Sequence, residues 1–194
     1  MNMLKRRRTM KTDYVQRLAL LKSGKPRLVI KRSLNNIHVQ VISFENNADK
    51  TNVDVFSKAL RKHGWKGHCG NISAAYLTGY LAGLMAVKRG IKEANVDIGL
   101  QSSRSSALFA VAAGARDAGV RIAIGKEILP GMDRIKGKHV ADYAAKLKGT
   151  DKYQKQFSAY LKAGLAPEDL PKHFEETKEK LSAEFNVKIA KAAE

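Results

Sequence analysis

The chain of 194 residues has room for one domain with an extension, and its 36 Lys and Arg against 18 Asp and Glu leave a net charge of +18. A charge of that size repels itself unless a polyanion accepts it, so nucleic acid or an acidic membrane surface is the expected partner. The single cysteine, Cys69, excludes an internal disulfide framework and a multi-cysteine zinc site. No apolar core segment follows the basic N-terminus, so a signal peptide is not expected.

Residues 1–32 carry 11 basic side chains and one acidic one, Asp13, which puts more than half of the excess charge in the first sixth of the chain. Lys5, Arg6, Arg7 and Arg8 are consecutive. The spacing of Tyr14, Leu18 and Leu21 predicts a short helix that Ser23-Gly24-Lys25-Pro26 ends. Such a segment reads as a solubilising tail or as an arm that orders on RNA, and its charge density favours the arm.

Two strands follow, 27–32 and 37–44, joined by Ser33-Leu34-Asn35-Asn36. Alternation in the first puts Leu28, Ile30 and Arg32 on one face and Arg27, Val29 and Lys31 on the other, so at least one face is partly cationic. Residues 45–49 read as a polar loop, and 51–56 as a third strand.

Arg61-Lys62-His63-Gly64-Trp65-Lys66-Gly67-His68 gathers three cations, two histidines and the only tryptophan. The cations suit phosphates and the indole suits stacking on a base or sugar; a solvated turn with Trp65 tucked against the core fits the residues equally well. His63, His68 and Cys69 could form a three-ligand metal site, but nothing supplies a fourth ligand and no metal is expected.

Next comes the most apolar stretch, free of charge from Ile72 to Val87. Asn71 is its expected N-cap and Gly90 its expected C-terminal stop. Ile72, Tyr76, Tyr80 and Leu84 make one stripe; Ala75, Gly79, Gly83 and Ala86 make a second, small enough for close backbone approach. The run is too short for a membrane span and contains Ser73 and Thr78, so a buried helix is expected. A strand at 94–100, a helix at 107–117 and a strand at 120–124 then imply a parallel portion of sheet with crossover helices.

The remainder reads as helices at 140–147, 152–162 and 171–192, with Pro171 in a first turn. Glu175, Glu176 and Glu179 stand at pairing distance from Lys178 and Lys180. Residues 150–194 hold eight basic and eight acidic side chains, so this tail is expected to pack on the domain or on neighbours, not to clamp RNA along its whole length. The organisation is therefore a basic arm (1–25), a mixed α/β core (26–125) and a helical extension (126–194).

Catalytic signatures are missing. Residues 119–126 are spaced wrongly for a phosphate loop, and GxSxG and HExxH do not occur. A metal-dependent nuclease needs clustered carboxylates. Only Asp54 and Asp97 fall on expected strands, and Asp97 beside Ile98-Gly99 reads as a structural acceptor.

The strings GKPRLVIKRS, HGWKGHCGN followed by SAAYLTGYLAG, VDIGL and EILPG resemble the archaeal and eukaryotic branch of the 5S rRNA-binding protein family of the large ribosomal subunit, family eighteen. The resemblance runs from about residue 11 to about residue 180. It implies a three-layer α/β core with a mixed five-stranded sheet of ribonuclease-H-like topology, without catalysis or cofactor. It implies a structural role in the central protuberance of the cytoplasmic ribosome. The implied partners are 5S rRNA, large-subunit rRNA and neighbouring ribosomal proteins, with no membrane and no small-molecule substrate. The RNA-contacting regions it implies are the arm, the first hairpin and the tryptophan loop. On this chain they are Lys5, Arg6, Arg7, Arg8, Lys11, Tyr14 and Arg17, then Lys25, Arg27, Lys31 and Arg32, then Arg61, Lys62, Trp65, Lys66 and His68. The chain departs from the family after Leu100: a longer proline- and lysine-containing loop is replaced by the short, serine-rich Gln101–Ser105, where only Arg104 could supply its contact and Ser103 could cap the next helix. An RNA-processing or nuclease-like enzyme on a related fold is the alternative.

Overall fold

The computed structural model describes residues 5–9, 11–101 and 105–185. The expectations for Ser103, Arg104 and the end of the last helix lie outside them.

In the arm, α1 (Lys5–Arg8) is a single turn and α2 (Tyr14–Lys22) is a short helix; neither buries a residue. Asp13 is more than a lone negative charge: its carboxylate accepts the Val15 and Gln16 amides at 2.9 and 3.2 Å and caps α2.

The sheet has four strands in the order β3-β2-β1-β4. β1 (Arg27–Arg32) pairs antiparallel with β2 (Ile37–Glu45), β2 antiparallel with β3 (Ala48–Phe56), and β1 parallel with β4 (Asn95–Asp97). β3 starts three residues earlier than expected. Asn46 and Asn47 adopt φ of 50° and 61°, the left-handed pair that closes a two-residue hairpin, so the polar stretch is a tight turn and not a loop. Leu28, Ile30, Val39, Val41, Val53 and Val55 all point to one face, which α3 (Ile72–Lys88) and α4 (Ser106–Asp117) cover. Both crossover helices therefore lie on the same side.

The expected fifth strand is absent among the described residues. Residues 120–124 alternate inward and outward, yet make a single parallel bridge, Glu93 to Arg121. β4 is a three-residue edge strand, and residues 120–124 meet only the chain just before it: the Arg121 amide donates to the Lys92 carbonyl at 2.8 Å and the Ala94 amide to the Arg121 carbonyl at 3.2 Å.

α3 forms as its sequence demands. Asn71 accepts the Ala74 amide at 2.7 Å, and Gly90 turns the chain out at φ 79°. The small-residue stripe brings α4 into backbone contact: a Cβ on Gly79 would stand 2.0 Å from the Val111 carbonyl oxygen, and one on Gly114 2.1 Å from that of Tyr76. The aromatic stripe is buried on the other side, where Tyr76 donates to Asp117 at 2.6 Å and lies 5.5 Å from the Phe174 ring.

The extension folds back onto α3. α5 (Met132–Lys136), α6 (Lys138–Leu147), α7 (Asp151–Lys162) and α8 (Leu170–Phe185) follow one another, and α5 and α8 pack against α3. Pro171 sits in the first turn of α8, as expected. The expected Glu–Lys pairs within α8 do not form among the described residues. Glu175 binds Lys136 at 2.8 Å instead, and the Lys178 ammonium lies 5.2 Å from the Tyr76 ring and 5.4 Å from the Tyr80 ring. Tertiary packing has drawn both partners away from their helical neighbours.

Candidate nucleic-acid interface

The face of the sheet away from α3 and α4 carries Arg27, Val29 and Lys31, and the arm lies across it. A cleft of about 480 Å³ separates them, lined by Arg6, Lys11, Tyr14, Arg17, Lys31 and Asp97 among others. Asp49 pins the arm in place: one of its oxygens accepts from Arg17 of α2 at 2.8 Å and the other from Arg27 of β1 at 2.9 Å. Arg27 donates its second terminal nitrogen to Asp97 at 2.9 Å, and Asp97 also accepts the Gly99 amide at 3.0 Å. Asp97 is thus the structural acceptor expected of it.

This network corrects one expected contact. Arg27 is 3% exposed, so it neutralises two carboxylates inside the protein and offers nothing to a phosphate. Alternation placed it on the cationic face; two acids distant in sequence then enclose it. Arg17 and Lys25 are also engaged, Lys25 with Glu93 at 3.0 Å, but both remain partly exposed.

Asp49 gives the arm a pH dependence. Burial alone would raise its pKa; the hydrogen bond from Arg17, with the charges of Arg27 and Arg17, outweighs that and holds it below the usual carboxylate value of 3.8. A depressed folded-state pKa contributes stability that is present above the unfolded value and is lost as pH falls through the folded one. Thermal midpoints should therefore drop on acidification below about pH 4, and Asp49→Asn should flatten that part of the profile. An unchanged profile in the variant would show that the pair contributes nothing.

The other expected cations are in no ion pair among the described residues. Lys5, Arg6, Arg7, Arg8 and Lys11 are exposed and join no ion pair among the described residues; Arg6 donates Nε to Thr12 at 2.9 Å. Tyr14 is half-buried at the cleft. Lys31 and Arg32 are exposed at the end of β1, where the Gln101 side chain accepts the Arg32 amide at 2.8 Å. Arg61, Lys62, Lys66 and His68 are exposed on the loop. The loop abuts the hairpin turn: a Cβ on Gly70 would stand 2.9 Å from the Leu34 carbonyl oxygen. Lys31 belongs to both groups, since it also lines the cleft.

Trp65 is the second correction. Its indole is 2% exposed and stacks on His173 of α8, ring centres 5.2 Å apart at 18°. On its other side a Cβ on Gly67 would meet the indole at 2.5 Å, so glycine is required there. The Lys66 amide donates to His173 Nε2 at 3.0 Å, which needs a neutral imidazole; burial lowers the pKa of His173, and nearby Lys66 and Lys180 lower it further against the pull of Glu176. Of the two readings of the tryptophan, the structure takes the core one. No sequence signal nominated His173, because its partner lies in the loop 107 positions earlier.

No group of three His, Cys, Asp or Glu side chains among the described residues could hold a metal ion. His63 meets Glu184 at 2.6 Å, and Cys69 is buried. Among those residues no helix is long and apolar enough to cross a membrane.

Residues 2–92 match the family model described as "Ribosomal large subunit proteins 60S L5, and 50S L18". The "Large ribosomal subunit protein uL18" of Methanococcus maripaludis is 52% identical over 179 residues, covering 91% of this chain and 93% of that protein. The chain belongs to the uL18 family. Membership makes it an archaeal-type ribosomal protein of the large subunit, a component of the cytoplasmic ribosome that binds rRNA, and not an enzyme. For a uL18 protein the arginine network has a plain meaning. Asp49 and Asp97 converge on the Arg27 guanidinium, and both carboxylates are engaged by that charge.

Proposed function

We propose that this protein binds 5S rRNA and fastens it to large-subunit rRNA in the central protuberance, beside other ribosomal proteins of that region. The observation that carries the reading is the set of exposed cations on arm, hairpin end and loop that join no ion pair among the described residues. Phosphate contacts of this kind supply most of the affinity for RNA and orient the protein on it. The contacts we assign are Lys5, Arg6, Arg7, Arg8, Lys11, Tyr14, Lys31, Arg32, Arg61, Lys62, Lys66 and His68, with Arg17 and Lys25 able to exchange partners. The GWKGH string and the helix after it support 5S rRNA as the target. The ribonuclease-H-like topology of the core is part of the same proposal and rests on the family resemblance, beside a four-stranded mixed sheet. The division into arm, core and extension at residues 25 and 125 belongs to the same proposal.

The test is a titration of 5S rRNA against an unrelated structured RNA of equal length. The expected result is tighter binding to 5S rRNA at moderate salt, with a steep loss of affinity as salt rises. Equal affinity for the two RNAs would overturn the assignment of 5S rRNA.

A further inference from the structure

The electroneutral tail is not electrically uniform. Residues 132–162, spanning α5 to α7, hold eight basic and three acidic side chains, whereas residues 163–185 hold three basic and six acidic. The charges cancel in the sum and separate in space. In α7 an aromatic seam faces inward: Phe157 is buried, with Tyr153 and Tyr160 of the same helix 5.5 and 6.3 Å away and Tyr143 of α6 at 6.3 Å. Lys152 and Lys155 lie before the kink that Phe157 makes in α7 (φ −102°, ψ 16°), about 60° apart on the side away from Phe157, and Lys162 lies one turn beyond it. All three are exposed. The ion pairs of this region among the described residues are Lys136–Glu175, Lys138–Asp133 and Lys148–Glu168, and none involves a lysine of α7. Lys146 of α6 is exposed and equally unpaired among them.

Three unpaired ammonium groups spread over about 15 Å of helix match a run of phosphates, which lysine binds as a point charge. The exposed side chains between them are Gln154, Gln156, Ser158, Ala159 and Leu161, and one large apolar residue is too little to seat a helix in a membrane surface. We propose that the lysine face of α7, assisted by Lys146, is a second RNA contact that grips the phosphate backbone of a duplex rRNA segment independently of the arm. The proposal rests on the reading above that the partner is rRNA. It adds a surface outside residues 2–92, the part that the family model matches.

The test is the full chain with Lys152, Lys155 and Lys162 all changed to Gln, titrated with two probes: 5S rRNA and a 20-base-pair RNA duplex of unrelated sequence. At about 0.9 per phosphate contact, the slope of log affinity against log salt on the duplex should flatten by about 2.7. The affinity that wild type loses between 50 and 200 mM salt should then exceed that lost by the variant by roughly 40-fold. The melting temperature should hold, and a triple Lys→Arg variant should keep the wild-type slope. Equal slopes for wild type and the Gln variant on both RNAs would overturn the proposal. So would unchanged RNA binding with lost binding to a polyglutamate peptide, which would assign the face to an acidic protein. Failure of the 5S rRNA reading looks different: wild type would not prefer 5S rRNA to the duplex, while the Gln variant would still lose affinity for the duplex.

Discussion

Replacing Trp65 with alanine is expected to destabilise the fold by about 3–5 kcal/mol, the cost of emptying a packed site of its largest side chain. The indole is 2% exposed and lies between Gly67 and the imidazole of His173. With the indole gone the loop loses its seat on α8, and the Lys66 amide loses a rigidly held acceptor. Trp65→Phe should be much milder. It keeps an aromatic ring against His173 and removes the indole nitrogen, which is buried without a hydrogen-bond partner among the described residues. Urea melts of the three proteins, with RNA titrations of the same samples, decide the matter. A Trp65→Ala protein that melts like wild type and binds RNA weakly would return the indole to the surface and contradict this packing.

The second large effect belongs to the arm. Changing Lys5, Arg6, Arg7, Arg8 and Lys11 to Gln should flatten the salt slope of 5S rRNA binding by about 4.5. Between 50 and 200 mM salt the wild type should then lose roughly 500-fold more affinity than the variant. Stability should hardly change, because these five side chains are exposed and neither helix of the arm buries a residue. Arg17 is left intact in this design, since its bond to Asp49 ties α2 to the sheet. Thermal melts and titrations at two salt concentrations measure both halves of the expectation. An unchanged slope would make the arm a spectator and leave hairpin and loop to carry recognition.

What could be read from the residues was local. The first hairpin follows from period-two alternation, and α3 from its two stripes, its Asn71 cap and Gly90. The start of β3 was also written locally, in the pair Asn46-Asn47, but two polar residues read as loop unless their tolerance of left-handed backbone is weighed. What could not be read depended on distant partners. Arg27 looks like a surface cation until Asp49 and Asp97 meet over it, 22 and 70 positions along the chain. The strand expected at 120–124 has the right alternation, but a strand needs a run of paired residues, and this segment makes a single bridge, Arg121 to Glu93, just before the three-residue β4. The lysine face of α7 was hidden by summation, since a count over 45 residues averages opposite surfaces to zero.

The stacking of His173 on Trp65 has a consequence for how the protein is made. A chain emerges from its N-terminus, and the histidine that closes the tryptophan loop follows the loop by 107 residues. The segment matched by the family model ends at residue 92, so it holds the indole without its lid. Until α8 has been synthesised and has reached α3, Trp65 faces water on one side. Closing so long a loop costs little more than closing a short one, because the entropic penalty grows only with the logarithm of length. The contact is therefore late in time without being weak, and the environment of this single tryptophan reports whether α8 has docked.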